Sequence, residues 1–308
     1  MSSSRSLSNP PGVGDSVPDE QEEMAGVAGR SGRRRWRVSG SAWGRLPMAI
    51  RRLLVVVLLL VVWQTYVSVS QVSPLQFSTP LEVGRALVTG WSSGEIASAT
   101  VSTMQVLLLG MVIGVAIAAV LTTLAVWTTF GEDLLAIFTS MLNPLPSIAI
   151  LPLAILWFGL NNDAVVFVIA NAVVWPIAIN VSIGFRTVNH TVLSVGRNIG
   201  LSRLRMVSDV LVPAALPHTI AGLKTAWAFG WRTIIAAELV FGVSGGKGGL
   251  GYFISMSKYY LKIPSVFAGM VTIAVIGVLI EFAFTWIERR TIVRWGMKAV
   301  AVRPAGVE

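Results

Sequence analysis

Six apolar segments, near residues 51–71, 101–126, 134–158, 164–184, 219–242 and 264–288, constrain this chain more than any other feature. Each is about 20 residues long or longer, the length at which an α-helix crosses the hydrocarbon of a bilayer. In lipid every backbone N–H and C=O must be paired inside the segment, so such runs become helices. Only 13% of the 308 residues are charged and the mean hydropathy is +0.72. The expected fold is an all-α integral membrane protein with six transmembrane helices and the bilayer as its first partner.

Residues 1–46 depart from this pattern. They are rich in Ser, Gly, Pro and charge, with a break at Asn9-Pro10-Pro11, an acidic cluster at Asp19, Glu20, Glu22 and Glu23, and a basic run from Arg30. That composition implies a disordered cytoplasmic tail whose basic run lies against anionic headgroups. No small-residue cleavage site follows the first apolar segment, so it is expected to stay as the first span. The transmembrane region is expected over 47–296 and a second cytoplasmic tail over 297–308.

The basic residues report topology. Lys and Arg number nine in residues 1–52, four in 185–217 and five in 289–308, against four in the alternate loops and two inside spans. Both termini and the 185–217 loop are therefore expected in the cytoplasm, in a multi-pass protein of the inner (plasma) membrane. The net charge of +9 does not imply nucleic acid, because the cations flank spans instead of forming a stripe interleaved with aromatics. The chain has no cysteine and two histidines, which removes disulfides, thiolate nucleophiles and histidine-based metal sites. In the loop 72–100, Thr79-Pro80-Leu81-Glu82 has the spacing of a capping box with proline at the first helical position, and Gly90 is a stop signal, so a short interfacial helix is expected there.

Between the fourth and fifth segments lies a polar, basic island, residues 193–222. Its pattern predicts two short helices, 193–198 and 202–212, with Gly200 left-handed after the first and Ser202 capping the second. Pro213 and Pro217 are expected to punctuate the return to the membrane.

The island resembles the cytoplasmic coupling loop of ABC-importer permeases, whose pattern is Glu-Ala-Ala, three residues, Gly, nine residues, Ile-x-Leu-Pro. Gly200 takes the glycine, Val210 the isoleucine, Val212 the leucine and Pro213 the proline, with every interval kept. Ser194, Val195 and Gly196 stand at Glu-Ala-Ala, so the glutamate contact of the family is not carried over. Downstream, PAALPHTIAGLKTAWAFGWRTIIAAELV, GGLGYFI, VFAGM and IERR resemble the nitrate, taurine and sulfonate branch, and the resemblance runs from about residue 53 to 295. It implies a type I importer permease fold, a separate cytoplasmic ATPase that binds ATP and Mg, an extracytoplasmic substrate-binding protein, and a homodimer of permeases. No cofactor is expected in this chain. Cargoes in the branch include nitrate, bicarbonate, taurine, alkyl sulfonates and thiamine precursors.

Several residues inside the spans stand out. Gly110 and Gly114 form a small-xxx-small pair that permits close helix approach. Asn143, Pro144, Pro146 and Pro152 interrupt the third segment and free the carbonyls of Ser140, Leu142 and Ile148; this implies either a packing kink or irregular backbone facing a cavity. Lys224 and Glu281 lie at similar depths and are expected either to pair or, for Lys224, to reach the inner surface alone. Arg232 lies about 20 Å into the fifth span at 1.5 Å per residue. With Trp227, Trp231 and Glu238 it is a candidate for the translocation pathway, attracting a small anion. The alternative is a clamp on the freed carbonyls of the third segment.

These readings point to an importer permease for a small anionic solute of the nitrate, taurine or alkyl sulfonate class, and not to an enzyme. No G-x-x-x-x-G-K-[ST] occurs; in the nearest imitation Phe241 takes the place of the first glycine and Gly248 that of the Ser or Thr. An ion-coupled secondary transporter would need intramembrane carboxylates and inverted repeats. Glu238 and Glu281 would serve it, but no repeat is evident. A permease for a non-anionic cargo such as a thiamine precursor is the other alternative.

Overall fold

A computed structural model describes residues 47–70, 73–241 and 248–293. The two tails, 1–46 and 294–308, and the imitation phosphate loop around 242–247 lie outside the described residues. The chain divides into units 1–58 and 59–308. Of the first, residues 47–58 are described and form the start of α1 (Met48–Val69). The second holds the rest of α1 and all that follows.

In chain order the second unit continues with α2 (Pro80–Ser92), α3 (Glu95–Trp127), α4 (Thr129–Leu142), a 3-10 turn (Ser147–Ile150), α5 (Leu151–Phe158) and α6 (Asn162–Arg186). Then come α7 (His190–Asn198), α8 (Arg203–Met206), a π-helical turn (Val207–Leu211), α9 (Val212–Phe241), α10 (Leu250–Tyr259), α11 (Ile263–Glu288) and a last π turn (Arg289–Val293). Every described element is helical. Among the described residues four helices are long and apolar enough to cross a membrane: α1, α3, α6, and α11 with its extension to Thr291. A fifth crossing is available if α4 and the Ser147–Phe158 segment act as one span.

That pair is where the structure departs from a simple span over 134–158. The two halves are bent by 91°, a break and not a kink. Pro144 and Pro146 cannot donate, and the chain compensates with short-range bonds: Leu145 N–H to Leu142 O at 3.3 Å and Ala149 N–H to Pro146 O at 2.9 Å. Pro152 sits in the first turn of α5, where its missing N–H is harmless.

The core of the second unit is built on α6, whose buried residues run from Ala164 to Ala178 almost without interruption. Glycines on its neighbours set the distance of approach. A Cβ on Gly110 would meet Ile169 Cγ2 at 2.6 Å, and one on Gly114 would meet Val173 Cγ1 at 2.7 Å. The small-xxx-small pair of α3 therefore packs directly on α6, in parallel register. On the other flank Gly184 faces Ala215 and His218, and Gly222 faces Asn180 and Ile177, so α9 runs antiparallel to α6. The capping box of α2 is complete: Glu82 N–H reaches Thr79 Oγ1 at 3.3 Å, and Thr79 N–H reaches Glu82 Oε2 at 2.9 Å.

Candidate coupling and translocation site

The island emerges where α6 ends. Arg186 in the last turn of α6 pairs with Glu132 in the first turn of α4 at 2.5 Å, and Thr187 Oγ1 lies 3.5 Å from His218 Nε2. Asn189 then caps α7, accepting the N–H of Thr191 at 2.8 Å. The helix starts three residues before the expected 193 and ends as expected at 198.

Its end is a Schellman motif. Leu201 N–H reaches Gly196 O and Gly200 N–H reaches Arg197 O, each at 3.0 Å, with Gly200 at φ +75°. Nothing lies within 4 Å of a Cβ built on Gly200, so the demand for glycine there is purely conformational. Gly196 is glycine for a different reason. It is buried, and a Cβ there would meet Met206 Cε at 2.7 Å and Leu201 Cδ1 at 3.3 Å. Gly196 and the half-buried Leu193 turn inward. Outward, α7 exposes Ser194, Val195 and two residues that the sequence did not single out, Val192 and Ile199. Val192, Val195 and Ile199 share one face at helical spacing, so a short apolar ridge projects from a polar loop.

Downstream, Ser202 caps α8, its Oγ 3.4 Å from Arg205 N. The chain does not break at Pro213 or Pro217. Residues 203–241 form one uninterrupted helical rod, against the expected punctuation. The π turn is the reason: Val212 N–H bonds to Val207 O, five residues back, and this wider turn absorbs the donor that Pro213 lacks. Along it Val210 is half-buried while Val212 and Pro213 are exposed. A cleft of about 840 Å³ separates the island from α3, α4 and the end of α6; Trp127, Glu132, Arg186, Leu193, Arg197 and Met206 are on its walls. The short helix α7 thus bears on the foot of the rod through Gly196 and Met206.

The residues expected on the pathway do not gather. The rings of Trp227 and Trp231 stack at 6.4 Å and 11°, and Trp227 also meets Phe284 of α11 at 6.4 Å. Trp231 is buried. Glu238 is buried and fully engaged: Thr103 Oγ1 donates to its carboxylate at 2.9 Å, and Gly251 N–H donates to Oε2 at 2.8 Å. Thr103 in turn accepts the N–H of Leu250 at 2.8 Å. One carboxylate therefore clasps α3, α9 and the first turn of α10. A Cβ on Gly249 would lie 2.0 Å from Glu238 Oε1, which explains the glycines that open α10. Thr103, Gly249 and Gly251 were missed by sequence reasoning; the paired glycines at 248–249 before an apolar helix were the signal available.

Arg232 alone is exposed. It shares a row with Ala221, Thr225 and Phe229 on the side of α9 turned away from the two tryptophans, and among the described residues it makes no hydrogen bond or ion pair. The clamp on the carbonyls of the broken third segment is not formed. Lys224 and Glu281 do meet, joining α9 to α11 as an ion pair. Among the described residues no cluster of His, Cys, Asp or Glu suits a metal ion.

Comparison with known proteins bears on this arrangement. Residues 110–293 match the family described as "Binding-protein-dependent transport system inner membrane component". The chain is 29% identical over 237 residues to the taurine transport system permease protein TauC of Escherichia coli (strain K12), covering 75% of this chain and 85% of that protein. It is 33% identical over 152 residues to the bicarbonate transport system permease protein CmpB of Synechococcus elongatus, covering 49% and 52% of the two chains. Among solved structures, a chain of an amino acid ABC transporter is similar with a TM-score of 0.53 at 17% identity, covering 66% of this chain and 97% of that one; it shares the fold. Helices long and apolar enough to span, the island with its kept intervals and a family match over more than half the chain agree: this chain belongs to the family of binding-protein-dependent transport system inner membrane components, as a transport permease and not an enzyme.

Proposed function

We propose that two copies of this chain form the pathway of an ATP-driven importer for a small anion, energised by a separate ATPase that docks on the island. The observation that carries the docking is the ridge Val192–Val195–Ile199: apolar side chains on a short helix and its C-cap stand exposed among the described residues and fit a groove. The Schellman turn and the contact of Gly196 with Met206 fix that ridge to the rod 203–241, so displacement of α7 by the ATPase reaches α9. ATP and Mg belong to the ATPase.

The reading has six crossings. They are α1, α3, the bent α4–α5 pair, α6, α9 and α11, with α9 admitted despite the charges it carries because it is 30 residues long. Both termini and the island then face the cytoplasm, in accord with the Lys and Arg counts, and the clasp at Glu238 lies on the opposite side, towards a substrate-binding protein. Relatives named for taurine and bicarbonate favour a cargo with an anionic group, and taurine, a zwitterion that carries a sulfonate, is the first to try. An ion-coupled carrier is disfavoured because both candidate carboxylates are already engaged, Glu238 in the clasp and Glu281 with Lys224.

Co-expression with the cognate ATPase and binding protein, followed by reconstitution, tests this. Val195→Asp is expected to abolish co-purification of the ATPase while the permease stays folded, and wild-type proteoliposomes are expected to take up taurine only with ATP. An ATPase that still co-purifies with Val195→Asp would overturn the docking assignment, and taurine uptake without ATP would overturn the energy source.

A further inference from the structure

The turn between α10 and α11 carries a backbone strain at a side chain left exposed. Leu261 has φ +57°, and among the described residues no other non-glycine has positive φ. It occupies the left-handed position of a second Schellman motif: Leu261 N–H bonds to Lys258 O at 3.0 Å and Lys262 N–H to Ser257 O at 2.8 Å. Glycine would take that position without penalty, whereas a side chain there is disfavoured. Yet the leucine side chain is 58% exposed. Its neighbours are exposed too: residues 258–262 read Lys-Tyr-Tyr-Leu-Lys with no acid, and all five are exposed. The two tyrosine rings meet edge to face at 5.5 Å.

What covers this apex is indicated by the helix that follows. An exposed stripe of Val275, Val278, Leu279, Phe282 and Trp286 runs along α11, and only 17% of its apolar window is buried, so this face is turned to lipid. At the far end of the stripe Arg290 lies over the ring of Trp286, 4.9 Å from its centroid. The helix rises about 35 Å from Ile263 to Trp286 at about 1.5 Å per residue, close to the hydrocarbon thickness of about 30 Å plus a margin for tilt. Aromatic and basic residues thus mark both ends of one lipid-facing helix at the spacing of the two headgroup layers.

We propose that residues 258–262 form an anionic-headgroup site, with Lys258 and Lys262 against lipid phosphate, Tyr259 and Tyr260 at the interface, and Leu261 as an apolar tip seated below it. The inference rests on the spans and not on the cargo or energy source. Because the chain has no cysteine, Leu261→Cys carries its only thiol. The spin-labelled full-length chain, in nanodiscs of phosphatidylglycerol mixed with phosphatidylcholine, is expected to collide with oxygen and to be shielded several-fold from an aqueous nickel chelate, relative to free label in buffer. Tyr260→Cys serves as the second site if Leu261→Cys folds poorly. In parallel, Lys258→Gln with Lys262→Gln is expected to remove the rise in thermal midpoint that phosphatidylglycerol confers over pure phosphatidylcholine. Labels as open to nickel as free label would place the apex in water and overturn the proposal; an undiminished phosphatidylglycerol effect in the double lysine variant would overturn the headgroup contact.

Discussion

At position 200 the only constraint is a dihedral angle. Because φ is +75° and no atom lies near the missing Cβ, a β-branched residue there costs about 1–2 kcal/mol through backbone strain alone. Gly200→Val is therefore expected to lower transport-coupled ATPase activity, while Gly200→Asn, which tolerates the left-handed region, retains most of it; equal loss in both would mean that space and not conformation is at issue. At Glu238 the constraint is the reverse, one of contacts. Thr103→Val removes the hydroxyl that both donates to the carboxylate and accepts from Leu250, stranding a buried acceptor and a buried donor. A loss of roughly 1–3 kcal/mol is expected, read as a lower unfolding midpoint in detergent, with Thr103→Ser much closer to wild type. These two sites also mark what a sequence reveals. Gly200 was legible because its requirement is local and its intervals to Val210, Val212 and Pro213 are fixed. The clasp was not, because Thr103 and Glu238 are 135 residues apart, and a lone glutamate in an apolar run reads equally as pathway, proton carrier or structural tie.

Among the elements, those set by local rules were legible: the apolar lengths of α1, α3, α6 and α11, and α2 from its capping box. The prolines act differently at the two places. In the third segment they do more than kink, since two non-donating residues within three positions leave too few bonds to continue the helix, and the chain turns by 91°. At Pro213 they do less than expected, because one π turn restores the hydrogen bonding and the rod runs on. Which outcome follows depends on whether neighbouring turns can widen, and α9 is held along its length by α6 while the 143–146 segment is not inside a helix. The ion pair between Lys224 and Glu281 ties the rod to α11 partway along. Exposed pairs contribute about 0–1 kcal/mol in water, but within lipid the unpaired charge is the larger penalty. Lys224→Glu is expected to reduce the yield of assembled complex, and Lys224→Glu with Glu281→Lys to restore part of it; equal damage in single and double variants, measured by co-purification, would show that the pair does not hold α9 to α11.

At the scale of the molecule, two exposed helix faces of the second unit contrast. The stripe Val275, Val278, Leu279, Phe282 and Trp286 of α11 is apolar and suits lipid, whereas the open row of α9 carries Arg232 beside Phe229 and does not. A guanidinium about 20 Å from the start of the span lies past the bilayer centre, where it is costly without water or a counter-charge. Among the described residues no group neutralises it, which leaves room for compensation by a second copy of the chain. If the two-fold axis of the proposed homodimer runs beside this row, the same row of both copies meets across it, and two arginines then face a shared path. Like charges so placed repel until an anion sits between them, which favours entry of a sulfonate or an inorganic oxyanion and opposes cations. A structural clamp needs the planar fork of arginine, whereas attraction of a passing anion needs chiefly the charge. Arg232→Lys is therefore expected to keep most uptake in proteoliposomes, and Arg232→Gln to lower it by about tenfold or more, roughly 1.4 kcal/mol of barrier, with assembly and basal ATPase activity unchanged. If Arg232→Lys fails as badly as Arg232→Gln and both disrupt assembly, the arginine holds the two copies together instead of drawing the anion through.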